Sequence, residues 1–176
     1  GEFDNGIDNT GIRPGFIKIA VNPDDTLSSD EIKLIKAAGL THLVTGMAIA
    51  SHTGPDNPAF AQITILKEMG IAPSAFIWVH AQKGTIEGNI RAATEGAWIS
   101  FDKVREDGNI EPGGINSIEW YAAKILKMKE NGLLHRVLIS HDSGWYDPKK
   151  TGGGQINGYT AIFKDLVPAL KSRGLT

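Results

Sequence analysis

The chain has 176 residues, 41% of them hydrophobic and 22% charged, with a formal net charge of −2. That balance is ordinary for a globular protein and gives no electrostatic reason to expect a nucleic-acid or membrane partner. No cysteine is present, which excludes disulfides and thiol catalysis and restricts metal ligands to His, Asp, Glu and modified Lys. No apolar run is long enough to span a bilayer. The polar opening from Gly1 to Asn9 does not read as a signal peptide. The expectation is therefore a soluble single domain over 1–176, cytoplasmic or periplasmic.

In chain order, short apolar runs alternate with longer amphipathic ones. Residues 1–14 read as a loop leading into a strand at 15–20. A helix follows at about 30–43, capped by Ser28 or Ser29, with Ile32, Leu34, Ile35 and Ala38 on its apolar side. The next strand is 47–50, then a helix at 58–69 stopped by Gly70. A strand at 76–79 and a helix at 86–95 come next, then a strand at 97–101 and a long helix at 117–131. The last pair is a strand at 136–140 and a helix at 159–172. These make five strand-then-helix units. The strands are apolar along their whole length, as parallel strands covered on both faces are.

Repeated units of this kind build either an open doubly wound sheet or a closed barrel. The open sheet usually carries a Gly-rich phosphate loop after a strand, and neither GxGxxG nor GxxxxGK[ST] occurs here. The Gly152-Gly153-Gly154 run follows no strand directly and reads as loop. A closed barrel of eight units typically needs roughly 250 residues, so five units in 176 residues read as part of one.

Polar residues recur where the strands end. Lys18 lies inside the first strand, and the second runs into Ser51-His52-Thr53. The third is followed by His80, the fourth by Asp102 and the fifth by Asp142. Ligands of parallel βα proteins bind at the C-terminal ends of strands, so this series forms the candidate site. A lysine within an apolar strand must pair, neutralise or be modified. His42, near a helix C-terminus, and His135, before the last strand, read as structural. His141 neighbours Asp142 and should point the other way. In the long loop at 143–158, Trp145 and Tyr146 either line a pocket or pack the loop down, and Lys149 and Lys150 read as solubilising. Arg105 is a further candidate for substrate contact.

The runs GIRPGFIKIA at 11–20, ASHTG at 50–54, FIWVHAQ at 76–82 and VLISHD at 137–142 together resemble the phosphotriesterase-like family of the amidohydrolase superfamily, in its phosphotriesterase-related and lactonase-like branch. The likeness runs through the whole chain in order. It implies an α/β fold, a (β/α)8 TIM barrel of which strands four to eight are present. It further implies a hydrolase with two divalent metals, commonly zinc, whose bridging hydroxide attacks a phosphotriester, lactone or related ester. Lys18 then corresponds to the carboxylated lysine that bridges both metals. His52 and His80 correspond to ligands of the more exposed metal, and Asp142 to a ligand of the buried metal that also takes the proton. Asp102 corresponds to an acidic residue near the substrate. The family's His-x-His pair is not in this sequence, which fits a piece of a longer protein or a half-barrel completed by another chain. The implied partner is a small-molecule ester, with a homodimer as an expected state of the full-length protein. Two other readings stand beside this one: a Schiff-base lyase or aldolase using Lys18, and a barrel that binds a ligand without catalysis.

Overall fold

A computed structural model describes residues 1–105, 113–154 and 158–175. Among these residues there are five strands: β1 (Ile17–Ala20), β2 (Ile49–His52), β3 (Phe76–Val79), β4 (Trp98–Phe101) and β5 (Val137–Ile139). The helices are α1 (Glu2–Asn5), α2 (Ser29–Thr45), α3 (Asp56–Glu68), α4 (Ile86–Thr94), α5 (Ile118–Glu130) and α6 (Val167–Ser172). The sheet runs in the order β1-β2-β3-β4-β5, and β1 with β2, β2 with β3 and β3 with β4 pair in parallel. A doubly wound sheet reverses its strand order at a switch point. Here each strand lies beside the next, the order of a (β/α)8 barrel.

The opening differs from the expected loop, since Glu2–Asn5 is one helical turn followed by a 3-10 turn at Ile7–Asn9. The second strand reaches two residues further than the apolar run and takes in His52. The final helix is not regular: Ile162–Leu166 is wound as a π-helix before α6. Pro168 has no N–H to offer the Lys164 carbonyl, and a local π-turn accommodates that missing bond.

The chain divides into two compact units, Gly1–Ile99 and Ser100–Thr176, and the division falls inside β4. In the first unit, Ile49, Phe76, Trp78 and Ile99 on the strands are fully buried, together with Ile35, Ile63 and Leu66 from the helices. In the second, Phe101 and Val104 are buried, as are Tyr121, Ile125 and Met128 of α5 and Leu166 and Leu170. The expected two-sided cover fails at the ends of the strand order. Only Ile19 of β1 is buried, and Leu138 and Ile139 of β5 are exposed. Each of these strands has one neighbour, so one flank is open. Lys18, expected to be buried, is exposed for that reason.

Helix α2 begins with a full capping box. Ser28 Oγ accepts from Glu31 N at 3.3 Å, while the Glu31 carboxylate accepts from Ser28 N at 2.7 Å and from Asn22 N at 2.6 Å. These bonds, the one from Asn22 foremost, hold the Glu31 carboxyl below its ordinary 4.5. A carboxylate whose pKa falls on folding stabilises the fold at neutral pH and loses that contribution as pH drops through its folded value. Ser28→Ala should cost about 1 kcal/mol. Glu31→Gln should lower the urea midpoint at pH 7, and the difference from the parent should shrink as pH falls below the ordinary 4.5 and through the lower folded value.

Candidate functional site

Lys18, His52 and His80 lie in the first unit; Asp102, Arg105, Asp142, Trp145 and Tyr146 lie in the second.

In the first unit the pairing register fixes who shares a face. Lys18 is opposite Ala50 and Ala20 is opposite His52. Registered partners and residues two apart point to the same side of a sheet, so Lys18 and His52 share one. His52 is opposite Val79. Had β3 continued regularly, His80 would therefore have pointed to the other face. It does not continue: His80 adopts φ 62°, ψ 34°, the left-handed region. The alternation breaks there, and His80 Nε2 comes to 2.9 Å from His52 Nδ1, with the rings edge to face and centroids 4.2 Å apart. His80 is buried and His52 exposed, so the pair opens to solvent on one side. Lys18 Nζ donates to the Ile19 carbonyl at 3.0 Å. Non-glycine residues take the left-handed region rarely, with Asn, Asp and His the most tolerant, and such strain concentrates at functional positions.

Several buried polar groups that the sequence reading did not single out hold this region. Ser51 Oγ donates to Gln62 Oε1 at 2.6 Å, and Gln62 Nε2 donates to Thr53 Oγ1 at 2.9 Å. Trp78 Nε1 donates to the Gly54 carbonyl at 2.8 Å, and Asn89 Nδ2 to the Ala81 carbonyl at 3.0 Å. A signal existed in the chain. Gln62 falls in the apolar stripe Ala59, Ile63, Leu66 of α3, and Asn89 falls in the stripe Ala92, Ala93 of α4. A polar residue at such a position must find a partner inside.

In the second unit Asp142 also has a left-handed backbone, with φ 46°. Its carboxylate lies 3.7 Å from Arg105 Nη2. The guanidinium chiefly serves the backbone: Arg105 Nε donates to the His141 carbonyl at 3.3 Å, and Nη2 donates to the Asp142 carbonyl. Trp145 Nε1 donates to the same Asp142 carbonyl at 3.3 Å, and Tyr159 OH donates to the Ser143 carbonyl at 2.7 Å. His141 turns away as expected, its Nε2 accepting from Ile162 N at 3.2 Å. Asp102 is buried and accepts from Ser100 Oγ at 3.1 Å. Burial, and then the charge of Asp102, push the Tyr121 phenol well above its ordinary range, with Arg105 opposing and Asp142 adding to the rise. Tyr121 therefore stays a hydrogen-bond donor, to Asn116 Oδ1 at 3.3 Å. Trp145 and Tyr146 are largely exposed. A cleft of about 240 Å³ is lined by Arg105, Ser143, Gly144, Trp145, Asp147 and Lys150, with Gly153 and Gly154. Of the loop expected at 143–158, Gln155, Ile156 and Asn157 lie outside the described residues.

The donor types suit a borderline divalent cation: two imidazoles side by side and an amine that can be carboxylated. Among the described residues, no three His, Asp or Glu side chains form a cluster of their own that would hold a metal. His42, by contrast, is structural: its Nδ1 is 2.8 Å from the Met47 carbonyl just past α2.

Hydrogen bonds to a charged group are worth roughly 1.5–3 kcal/mol. Arg105→Ala should therefore speed amide hydrogen exchange at Val104 and Ser140, whose N–H groups are bonded beside this turn, by roughly 10–100-fold, with the amides of α5 unchanged.

The model of the Phosphotriesterase family matches residues 1–176. The phosphotriesterase homology protein of Escherichia coli (strain K12) is 26% identical over 176 residues, which are 99% of this chain and 58% of that protein. N-acetyltaurine hydrolase of Danio rerio is 26% identical over 179 residues, 98% of this chain and 50% of that protein. The crystal structure of the E. coli homology protein, complexed with phosphate in its active site, superposes with a TM-score of 0.81 at 25% identity, covering 99% of this chain and 58% of that one. A variant of organophosphorus hydrolase from Deinococcus radiodurans gives a TM-score of 0.81 at 26% identity, with 99% and 54% covered. A variant of a lactonase of the same organism gives 0.79 at 25%, with 99% and 56% covered. The chain spans about half the length of the curated relatives it matches. Matched from its first residue to its last, it belongs to the phosphotriesterase family.

Proposed function

We propose that the full-length protein is a metal-dependent hydrolase that opens an ester-type bond, in a phosphotriester, a lactone or a related ester. The observation that carries the reading is the His52–His80 pair, brought to 2.9 Å at the ends of adjacent parallel strands by the left-handed turn at His80. Its setting is a chain that the phosphotriesterase family matches throughout. Organophosphorus hydrolase and lactonase structures among the neighbours support the choice of bond.

His52 and His80 would hold one divalent cation, with zinc the expected metal, and Lys18, carboxylated on its amine, would bridge that cation to a second. The carbamate turns a cationic side chain into an anionic one with two oxygens. Its formation needs the neutral amine, which a closed, less solvated site favours. Asp142 is the metal-ligand candidate of the second unit. When bound, the cations supply Lewis acidity toward the substrate oxygen and generate the nucleophile from water.

The chain's own residues do the rest. The Asp142 carboxylate would accept the proton that the attacking nucleophile gives up. Arg105 would keep Asp142 in its left-handed turn by binding the carbonyls that flank its α-carbon, those of His141 and Asp142. The cleft bounded by Trp145, Asp147 and Lys150 receives part of the substrate, and the indole face of Trp145 offers it apolar cover. Asp102 would stand near the substrate as an acceptor.

Chelation should abolish hydrolysis of a lactone and phosphotriester panel by the full-length protein. Zinc should restore it, and faster with added bicarbonate. His52→Ala and His80→Ala should each lower the zinc content. Trapping of a carbonyl substrate on Lys18 by borohydride, with activity indifferent to chelation, would instead establish Schiff-base chemistry. Turnover of nothing in the panel by a metal-free protein would leave a ligand-binding barrel.

A further inference from the structure

We propose that Gln62 and Asn89 are positioning residues for the histidine pair: two buried carboxamides, one on each following helix, that fix the strand-end backbone from which His52 and His80 project. The functional consequence rests on the reading of those histidines as metal ligands; the positioning itself does not.

Gln62 and Asn89 are both wholly buried. Gln62 Oε1 accepts from Ser51 Oγ at 2.6 Å, and its Nε2 donates to Thr53 Oγ1 at 2.9 Å and to the Pro58 carbonyl at 3.0 Å. Thr53 Oγ1 in turn donates to the Ser51 carbonyl at 3.0 Å. The residues on either side of His52 are thus tied to one carboxamide, on the face opposite the imidazole. Asn89 Nδ2 donates to the carbonyl of Ala81, the residue that follows His80 across its left-handed turn.

A buried amide is a poor choice for filling space. It contributes little net stability, and a single unmet bond is costly, so an apolar residue of similar volume would serve the core as well. What a fully satisfied polar network adds is one arrangement instead of several. Every buried side-chain nitrogen and oxygen among the described residues has a partner. The need for one arrangement lies at the two imidazoles, because His80 has left the strand alternation and nothing in a regular ladder would hold it.

The test uses the full-length protein with zinc as probe, its affinity measured by competition with a chromophoric chelator. Loss of an outer-shell partner typically weakens metal binding by about 10–100-fold, and that is the expected effect of Gln62→Met and of Asn89→Leu. Ser51→Ala, a smaller change that keeps the fold if Gln62→Met does not, should weaken binding in the same direction. Leu66→Ala in the same helix is the control: it should lower the melting temperature and leave zinc affinity within about twofold, since it removes packing and no outer-shell partner. A second readout needs no metal. In the metal-free protein with nitrogen-labelled histidine, the hydrogen bond between His52 Nδ1 and His80 Nε2 should give an imidazole signal with a scalar coupling between those two nitrogens, lost in Gln62→Met and Asn89→Leu. Zinc affinity that falls in His52→Ala but not in the carboxamide variants overturns this inference alone. If the parent binds no zinc, the metal reading falls. The imidazole signal then decides the positioning claim: its survival in both variants overturns it.

Discussion

A β-strand sends successive side chains to opposite faces, so a residue just past the end of one strand meets the last residue of its neighbour only if something breaks the alternation. His80 breaks it. Its left-handed backbone turns the imidazole back to His52, and the two nitrogens come within hydrogen-bond distance. A regular continuation of β3 would have aimed His80 at the helix layer and left His52 alone beside Lys18. The chemistry proposed for the first unit depends on that one backbone conformation. It has a cost, of order 1–3 kcal/mol for a non-glycine residue, that the surrounding bonds must offset.

Those bonds come from behind the strands. Each helix that follows a histidine-bearing strand sends a carboxamide into the layer beneath: Gln62 from α3 and Asn89 from α4. The second unit solves the same problem with a cation. Asp142, also left-handed, has its own carbonyl and that of His141 held by Arg105. Two left-handed strand-end positions, His80 and Asp142, and the regular strand end at His52 are thus supported by buried or half-buried polar side chains rather than by further ladder pairing. This is what a rigid frame for reacting groups requires.

Much of the fold was legible because its signals are local and repeated. Apolar runs of strand length, amphipathic stretches and glycines at helix ends placed five strands and five long helices close to where they lie. The capping box at Ser28 was half visible, its serine recognised and its partner Glu31 not. What was missed has physical reasons. The extension of β2 to His52 runs through polar residues, and hydrophobicity cannot mark a strand there. The π-turn before Pro168 arises from one missing N–H inside an otherwise helical pattern. Lys18 was expected to be buried because its neighbours are apolar, yet burial depends on a second strand alongside β1, and this chain provides a partner on one side only. Of the site, the sequence pointed to His52, His80 and Asp142 from their places after strands. It could not show that two of the three need a left-handed turn to face their partners, nor that Arg105, taken as a substrate contact, spends its donors on backbone carbonyls.

On the proposed reading, His52 and His80 are paired to share a cation. Zinc-edge anomalous diffraction from crystals of the full-length protein tests it most directly. A shared cation gives a peak about 2.0–2.1 Å from one nitrogen of each ring, with the direct contact between the two imidazoles replaced by the metal. Zinc bound elsewhere, or no peak while the histidines remain hydrogen-bonded to each other, would contradict it.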